Sequence, residues 1–311
     1  MDTDLRSPQR PRHQPPDGAS AAADVERFRP RLFGVAYRML GDVEDARDVV
    51  QDAYLRWHRA DHSAVAAPEG WLVTVVTRLA IDRLRRAATE RAAYVGPWLP
   101  APIATDERQA TDRDAELASD LSMALLVLLE RLAPEERAAF LLRDVFDTDY
   151  AEIAAVLERR EPAVRQMVHR ARERVRGGRA RHAAPPDVHA RLLDRFLAAL
   201  AAGDRDGLLA LLAPDATFTS DGGGKVPAAR KVLADPERIV HLLLSLERKW
   251  GAVTTHRTGR VNGEPAVLTY AGAHLVYVTA LATDGTHVTA LYRVLNPDKL
   301  RWAEPEASGD A

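Results

Sequence analysis

At 311 residues the chain is long enough for two or three compact units, and with 46% hydrophobic and 28% charged residues most of it is expected to fold around cores of its own. It has no cysteine, which excludes disulfides, zinc fingers and thiol chemistry, and no apolar run approaches membrane-spanning length; neither a metal nor another cofactor is expected. The formal net charge of −2 conceals a local asymmetry, basic over residues 159–181 and acidic over residues 42–52, so near-neutrality does not argue against a nucleic-acid partner.

Residues 1–24 carry Pro and Arg but lack the hydrophobic centre of a signal peptide, and they read as the disordered tail of a cytoplasmic protein. Residues 25–92 have a densely helical pattern. Within them Val43, Ala46, Val49, Val50, Ala53, Tyr54 and Trp57 share one face of a helix whose start is acidic, where Asp42, Glu44 and Asp45 complement the helix dipole. This is either a solvated helix or a docking helix for a basic or mixed-charge partner. A polar loop over residues 58–70 leads to a second helix with Trp71, Leu72, Val75, Val76, Leu79, Ala80 and Leu84 on its core face. Arg78, Arg83, Arg85 and Arg86 gather on and beyond its outer side. A basic helix beside a tryptophan, behind a flexible loop, suits single-stranded DNA, with phosphate contacts and a pocket for an unstacked base. Trp71 taken alone fits a core position better than a base platform.

Residues 93–114 break the helical pattern, since the prolines of Gly96-Pro97-Trp98-Leu99-Pro100-Ala101-Pro102 remove donors and fix extended geometry. Exposing the Trp-Leu pair in water is costly, so it is expected to dock. Helicity resumes at Ala115, and Pro134 starts a further helix with Glu135 and Glu136 in its first turn. Residues 150–176 then read as two short helices around a tight turn. Ile153, Ala154 and Leu157 mark the inner side of the first, and Val164, Met167, Val168, Ala171 and Val175 stripe the second, with Pro162 in its first turn. Opposite that stripe lie Arg165, Gln166, His169, Arg170, Arg172 and Arg174, a cationic, hydrogen-bonding surface one helix wide, as entry into the DNA major groove requires. The plainer reading is an Arg-rich solvated helix; the tandem arrangement of the two helices weighs against it.

Beyond residue 186 the character changes. Residues 188–212 read as a helical hairpin turning at Gly203-Asp204, and Thr217-Phe218-Thr219 as a short strand. Residues 266–297 alternate β-branched and aromatic residues around Asp284-Gly285, a hairpin signal. This unit is expected to be α+β, with helices on a curved antiparallel sheet. Asp221-Gly222-Gly223-Gly224-Lys225 lacks the spacing of a phosphate-binding P-loop and reads as a turn whose backbone approaches something closely.

The segments RLFGVAYRMLGDVEDARDVVQDAYLRW and WLVTVVTRLAIDRLRRA, then LERLAPEERAAFLLRDVFDTDYAEIAAVL and EPAVRQMVHRARERV, occur here in one order with three short motifs. The motifs are Trp98-Leu99-Pro100, the Asp221 to Lys225 turn, and Asn296-Pro297-Asp298-Lys299-Leu300. In these the chain resembles an extracytoplasmic-function sigma factor of the SigJ-like branch, which carries a SnoaL-like (NTF2-like) C-terminal domain. The resemblance implies a multidomain fold: two all-α sigma modules, the second with a helix–turn–helix, followed by an α+β cone. It divides the chain into region 2 at residues 25–92, a linker at 93–114, region 4 at 115–180, a SnoaL-like regulatory domain at 187–303, and a tail at 304–311. The implied partners are core RNA polymerase and promoter DNA, as duplex and as melted strand.

The resemblance also implies roles. Asp42, Asp45, Asp48, Gln51, Asp52, Leu55 and Trp57 would bind core polymerase. Trp71, Arg78, Asp82, Arg83, Arg85 and Arg86 would recognise the proximal promoter element and help to melt it. Arg165, Gln166 and His169 would read base edges of the distal element, while Arg159, Arg160, Arg170, Arg172 and Arg174 would contact phosphates. Trp98, Leu99, Pro100, Asp221, Gly222, Gly223, Gly224, Lys225, Asn296, Pro297, Asp298, Lys299 and Leu300 would form a regulatory interdomain contact in place of a separate anti-sigma protein. The branch motif in the linker runs Trp-Leu-Pro-Glu-Pro; here its fourth position is Ala101, so any contact of that carboxylate is missing. Two other readings stand beside this one. A one-component helix–turn–helix regulator with a small-molecule pocket would dimerise on a palindromic site without polymerase, leaving the acidic and basic helices upstream without a purpose. A cyclase or isomerase would draw an acid or base from Asp221, His256, His274 or His287, but fold analogy warrants no activity and no residue is assigned a catalytic role. A small-molecule ligand of the C-terminal domain remains open.

Overall fold

The computed structural model describes residues 18–62, 65–105, 121–179 and 184–301. The tails at residues 1–17 and 304–311 and the resumption of helix at Ala115 lie outside them. Helix α1 (Gly18–Leu40) starts inside the stretch expected to be a tail, because Ala19, Ala21, Ala22 and Ala23 favour helix. It packs with α2 (Val43–Arg59) and α3 (Pro68–Ala92) as an N-terminal module. Asp42 caps α2, its side chain accepting from the backbone N–H groups of Glu44 and Asp45 at 3.0 and 3.1 Å. His58 and His62 stand four residues apart, a ligand-pair spacing, but α2 ends between them; His62 stacks on Trp57 with ring centroids 4.4 Å apart.

A second helical module follows: α4 (Met123–Leu129), α5 (Pro134–Asp144), α6 (Tyr150–Leu157) and α7 (Glu161–Arg179). The turn between α6 and α7 is made by Glu158 in the left-handed region, φ 54°. Val164, Val168, Ala171 and Val175 are buried as their spacing requires. The two helical modules, expected to have separate cores, share one, which runs from Leu32, Ala36 and Leu72 to Phe140, Ile153 and Val168. The reason lies in α3. Its buried set adds Val73, Ile81 and Ala87 to the expected face, a stripe wide enough to meet α1 and α2 on one side and α5 and α6 on the other.

The C-terminal domain begins with α8 (Pro186–Ala201) and α9 (Arg205–Leu211), turning at Gly203 with φ 68°. Strand β1 (Leu212–Asp221) is far longer than Thr217-Phe218-Thr219. After α10 (Pro236–Trp250) come β2 (Thr255–Val261), β3 (Glu264–Ala271), β4 (His274–Thr283) and β5 (Val288–Val294). The sheet order is β1-β5-β4-β3-β2. It is mixed, not wholly antiparallel as expected, since β1 runs parallel to β5. No hairpin joins those two strands; α10 carries the chain away from β1 to the far edge, so the direction of β1 is set by packing. The hairpin at Asp284-Gly285 is present, with Asp284 accepting from the N–H groups of Thr286 and His287.

One face of the sheet packs on its own helices through Phe218, Val267, Leu281 and Leu291. The other, with Ala266, Ala280, Ala282 and Ala290 among Leu268, Tyr270 and Tyr292, packs on Leu99 of the linker, Met123 and Ala124 of α4, and Leu300. The alanines make that face shallow enough for a segment from outside the domain to lie close. Among the described residues no helix is long and apolar enough to cross a membrane.

At the β2–β3 tip, Asn262 and Gly263 both take positive φ, 54° and 77°, as a two-residue type I′ turn requires. Glu264 follows, and burial pushes its carboxyl up to about 7, with Arg260 opposing in part. A carboxyl raised in the folded state holds its proton there after the unfolded chain has lost it, so stability falls as pH rises from about 4.5 towards 7. Glu264→Gln is expected to flatten that decline and to raise stability at pH 8 by about 1–2 kcal/mol after allowance for solvent screening. Urea midpoints at pH 5, 6.5 and 8 check this.

Candidate functional site

The linker runs into the seam between the helical modules and the sheet. Asp221, the last residue of β1, is fully buried, and its carboxylate meets four donors. Oδ1 accepts from the Tyr94 hydroxyl at 2.6 Å and the Gly223 N–H at 3.0 Å. Oδ2 accepts from the Leu99 N–H at 2.9 Å and Lys299 Nζ at 2.7 Å. Lys299 also donates to the Leu99 carbonyl at 2.5 Å, so the pair holds both backbone groups of one linker residue. The lysine lies 4.0 Å from the Trp98 ring centroid, and the Arg91 guanidinium 3.6 Å from it. Burial lowers the pKa of Lys299, and Asp221 opposes that. Asn296 donates to the Tyr94 hydroxyl at 3.0 Å, orienting it towards Asp221.

The glycines beside Asp221 explain themselves. Gly223, φ 60°, leaves no space for a Cβ because the Asn296 amide lies there, and Val95 crowds Gly224. Lys225 and Asp298, expected in the interdomain contact, pair with each other at the exposed rim.

A second grip, for which only the Asn-Gly dipeptide gave a signal in the sequence, lies at the β2–β3 tip. Buried Asn262 exchanges hydrogen bonds with the backbone of Ile103, N–H to carbonyl at 2.8 Å and side-chain oxygen from N–H at 3.1 Å. Its amide also donates to the Tyr37 hydroxyl at 2.7 Å, and Tyr37 donates to the Ala101 carbonyl at 2.7 Å. The Ala101 N–H donates to the Gly41 carbonyl at 2.7 Å. At the departure from the branch motif the linker is therefore held by its main chain.

The helical modules also cap each other. Arg78 of α3 donates to the Val156 and Ala155 carbonyls at the end of α6, at 2.9 and 3.0 Å. In return Arg137 of α5, buried, donates to the Met39 carbonyl at the end of α1 at 2.6 Å and to Glu130 at 2.7 Å. Arg85 pairs with Glu135 of α5 as well as with Asp82, and Arg83 with Asp45 of α2. Of the expected melting residues, Arg78 and Arg85 are thus engaged by the second module, while Trp71 packs on Trp57 at 5.2 Å and Arg86 is exposed.

On α2, Asp48, Gln51, Asp52 and Leu55 are exposed, whereas Trp57 is core, Asp42 is a helix cap and Asp45 is tied to Arg83. On and before α7, Arg159, Arg160, Gln166 and His169 are exposed, and Arg165 bonds to Glu161 and lies over Tyr150. Arg170 and Arg174 both bond to Glu136, and Arg172 to Asp144 at 2.9 Å; these three, expected at phosphates, stitch α7 to α5. Asp221, His256, His274 and His287 are not brought together: His256 bonds to Thr269 and Glu247, His274 is exposed, and His287 is in the β4–β5 turn. Among the described residues no group of three or more acidic or histidine side chains is placed to hold a metal.

Residues 25–90 match the Sigma-70 region 2 family, and residues 122–175 match Sigma-70, region 4. The chain is 40% identical over 307 residues to the ECF RNA polymerase sigma factor SigJ of Mycobacterium tuberculosis, covering 92% of this chain and 97% of that one. The chain belongs to the ECF sigma factors. The crystal structure of M. tuberculosis SigJ superimposes with a TM-score of 0.74 at 36% identity, over 90% of this chain and 98% of that one. The probable ECF sigma factor SigI of the same organism is 31% identical over 286 residues, 90% of this chain and 95% of that one. This sigma factor directs RNA polymerase to promoters with regions 2 and 4, and its third domain is SnoaL-like.

Removing one member of a buried, hydrogen-bonded ion pair strands the other, at a cost of about 3–5 kcal/mol. Asp221→Asn and Lys299→Met are each expected to destabilise the chain by that order. The double variant should fall well short of their sum, as a double-mutant cycle by urea denaturation would read out.

Proposed function

We propose that the SnoaL-like domain keeps this sigma factor closed by clamping the linker, and that polymerase and promoter engage an opened form. The observation that carries this reading is the engagement of Arg78 and Arg85 on region 4. Both lie on the basic outer face of α3, the surface suited to melted DNA, and in the closed form Nε and Nη2 of Arg78 and Nη2 of Arg85 bond to the partner module, while Arg85 Nη1 stays on Asp82 of its own helix. The domain does within the chain what a separate anti-sigma protein would do. Asp221, the buried carboxylate an enzyme reading would draw on, is committed to four structural hydrogen bonds, which favours a domain that turns over no substrate.

On this reading Asp48, Gln51, Asp52 and Leu55 form the polymerase-facing surface of α2, with Leu55 as its exposed apolar contact. Arg78 and Arg85 become available to the opened strand, beside Arg86, which is exposed already. Arg165, Gln166 and His169 face base edges of the distal element, and Arg159 and Arg160 its phosphates.

In transcription with purified core polymerase, Asp221→Asn and a chain ending at Leu295, which lacks Lys299, are both expected to raise promoter-dependent output several-fold. Output at or below that of the intact chain in both would remove the closed-form reading. Promoter competition with holoenzyme separates the roles on region 4. Gln166→Ala should lose about 1–3 kcal/mol of discrimination at one base pair, while Arg159→Ala should weaken all sequences alike and reduce the salt slope by about 1.

A further inference from the structure

The inner face of the sheet is apolar over Phe218, Val267, Leu281 and Leu291 and turns polar towards one end, where Thr269, Tyr277, Thr279 and Arg293 lie on the same side. Arg293 is 5% exposed. Its Nε donates to Thr279 Oγ1 at 3.1 Å, and its guanidinium lies 4.5 Å from the Tyr277 ring centroid and 5.3 Å from that of Phe218. Among the described residues no carboxylate lies within ion-pair distance of it. Glu247 supports its charge from farther off but is hydrogen-bonded to His256 at 3.1 Å.

A buried guanidinium without a counter-charge is costly, and natural cores avoid it unless something supplies the anion. The outer nitrogens of Arg293 are not among the buried atoms cut off from both solvent and a partner, which are Trp57 Nε1, Thr77 Oγ1, Arg137 Nε and His189 Nε2. Its two outer nitrogens thus keep paired donors in the geometry that matches a carboxylate. Apolar surface lies at the same end of the domain. One turn past Glu247, α10 ends in half-exposed Trp250, and an irregularity in the β3–β4 register leaves Val276 exposed beside Tyr277.

We infer that Arg293 anchors a binding site for a small organic monocarboxylate carried on a flat apolar body. The carboxylate takes the guanidinium fork, and the body lies along Tyr277 towards Val276 and Trp250. The site stands back to back with the clamp. Arg293 pairs with Ser220 across β1 and β5, the next pair is Asp221 with Val294, and Leu295 and Asn296 donate to the Asp221 carbonyl. An occupant that shifts β5 against β1 therefore moves the Asp221 end of the clamp. This coupling rests on the closed-form reading; the binding site itself does not.

Titration calorimetry on the full-length protein tests the site, with benzoate as probe and benzamide as its neutral isostere. Saturable benzoate binding is expected, at least tenfold weaker for benzamide and for Arg293→Met. Arg293→Lys keeps the charge and loses the fork, and it should bind at least fivefold more weakly; it stands in should Arg293→Met fail to fold. No saturable binding of benzoate, equal binding of benzamide, or equal affinity in the variants would overturn the site. Benzoate near the intact chain's own Kd should change transcription by that chain measurably, and Arg293→Lys should respond less at the same concentration, in proportion to its weaker binding. Binding without that change would overturn the coupling alone, and Asp221→Asn judges the clamp separately.

Discussion

A carboxylate sealed from water stays charged only if its lone pairs are met, and Asp221 meets this condition with donors from the linker, its own turn and the C-terminal motif. Nothing within β1 itself supplies those donors. The carboxylate is satisfied only when the linker and the turn at Pro297–Lys299 have both arrived. A buried ion pair adds little net stability over apolar residues of the same shape, because desolvation offsets most of the attraction. Burying Leu99 against the sheet contributes about 1.5–3 kcal/mol, so the apolar contact drives docking. The pair decides which linker residue docks, since it grips both the N–H and the carbonyl of that one residue. Affinity and register thus come from different groups at the same place.

The same logic extends into the helical modules. Helix ends leave carbonyls without partners, and α1 and α6 have theirs met by arginines from the opposite module, Arg137 and Arg78. Opening would hydrate those carbonyls at small cost, but it would also expose the apolar seam along α3 and the shallow face of the sheet. Polar ties of this kind make the closed form specific, while the shared core makes it stable. Whatever opens the molecule must bind the open form better by at least the difference between the two.

Much of the local structure was legible. The apolar stripe of α7, the break at Gly96 to Pro102 and the Asp284-Gly285 turn follow from side-chain period and from the limits proline and glycine place on the backbone. The docking of Trp98-Leu99 followed from the cost of leaving it in water. The direction of β1 was not legible, because no short turn constrains it. Nor were the positions of Arg170, Arg172 and Arg174. A charged face looks the same in sequence whether its arginines reach solvent or acids on a neighbouring helix, and here Glu136 and Asp144 take all three. The burial of Trp57 and the capping by Asp42 were hidden for a related reason, since a core residue and a helix cap share a segment with the exposed residues of α2.

The sequence by itself determined most of the helices and turns, the order of the modules and the family they belong to, because these rest on short local patterns of residues. Only the tertiary structure decided that Asp221 meets Leu99 across 122 residues, that Asn262 meets Tyr37 across 225, and that α3 is shared between two modules. Those contacts depend on which buried polar group finds a donor once the chain has closed on itself. The spacing of residues along the chain carries no record of that choice.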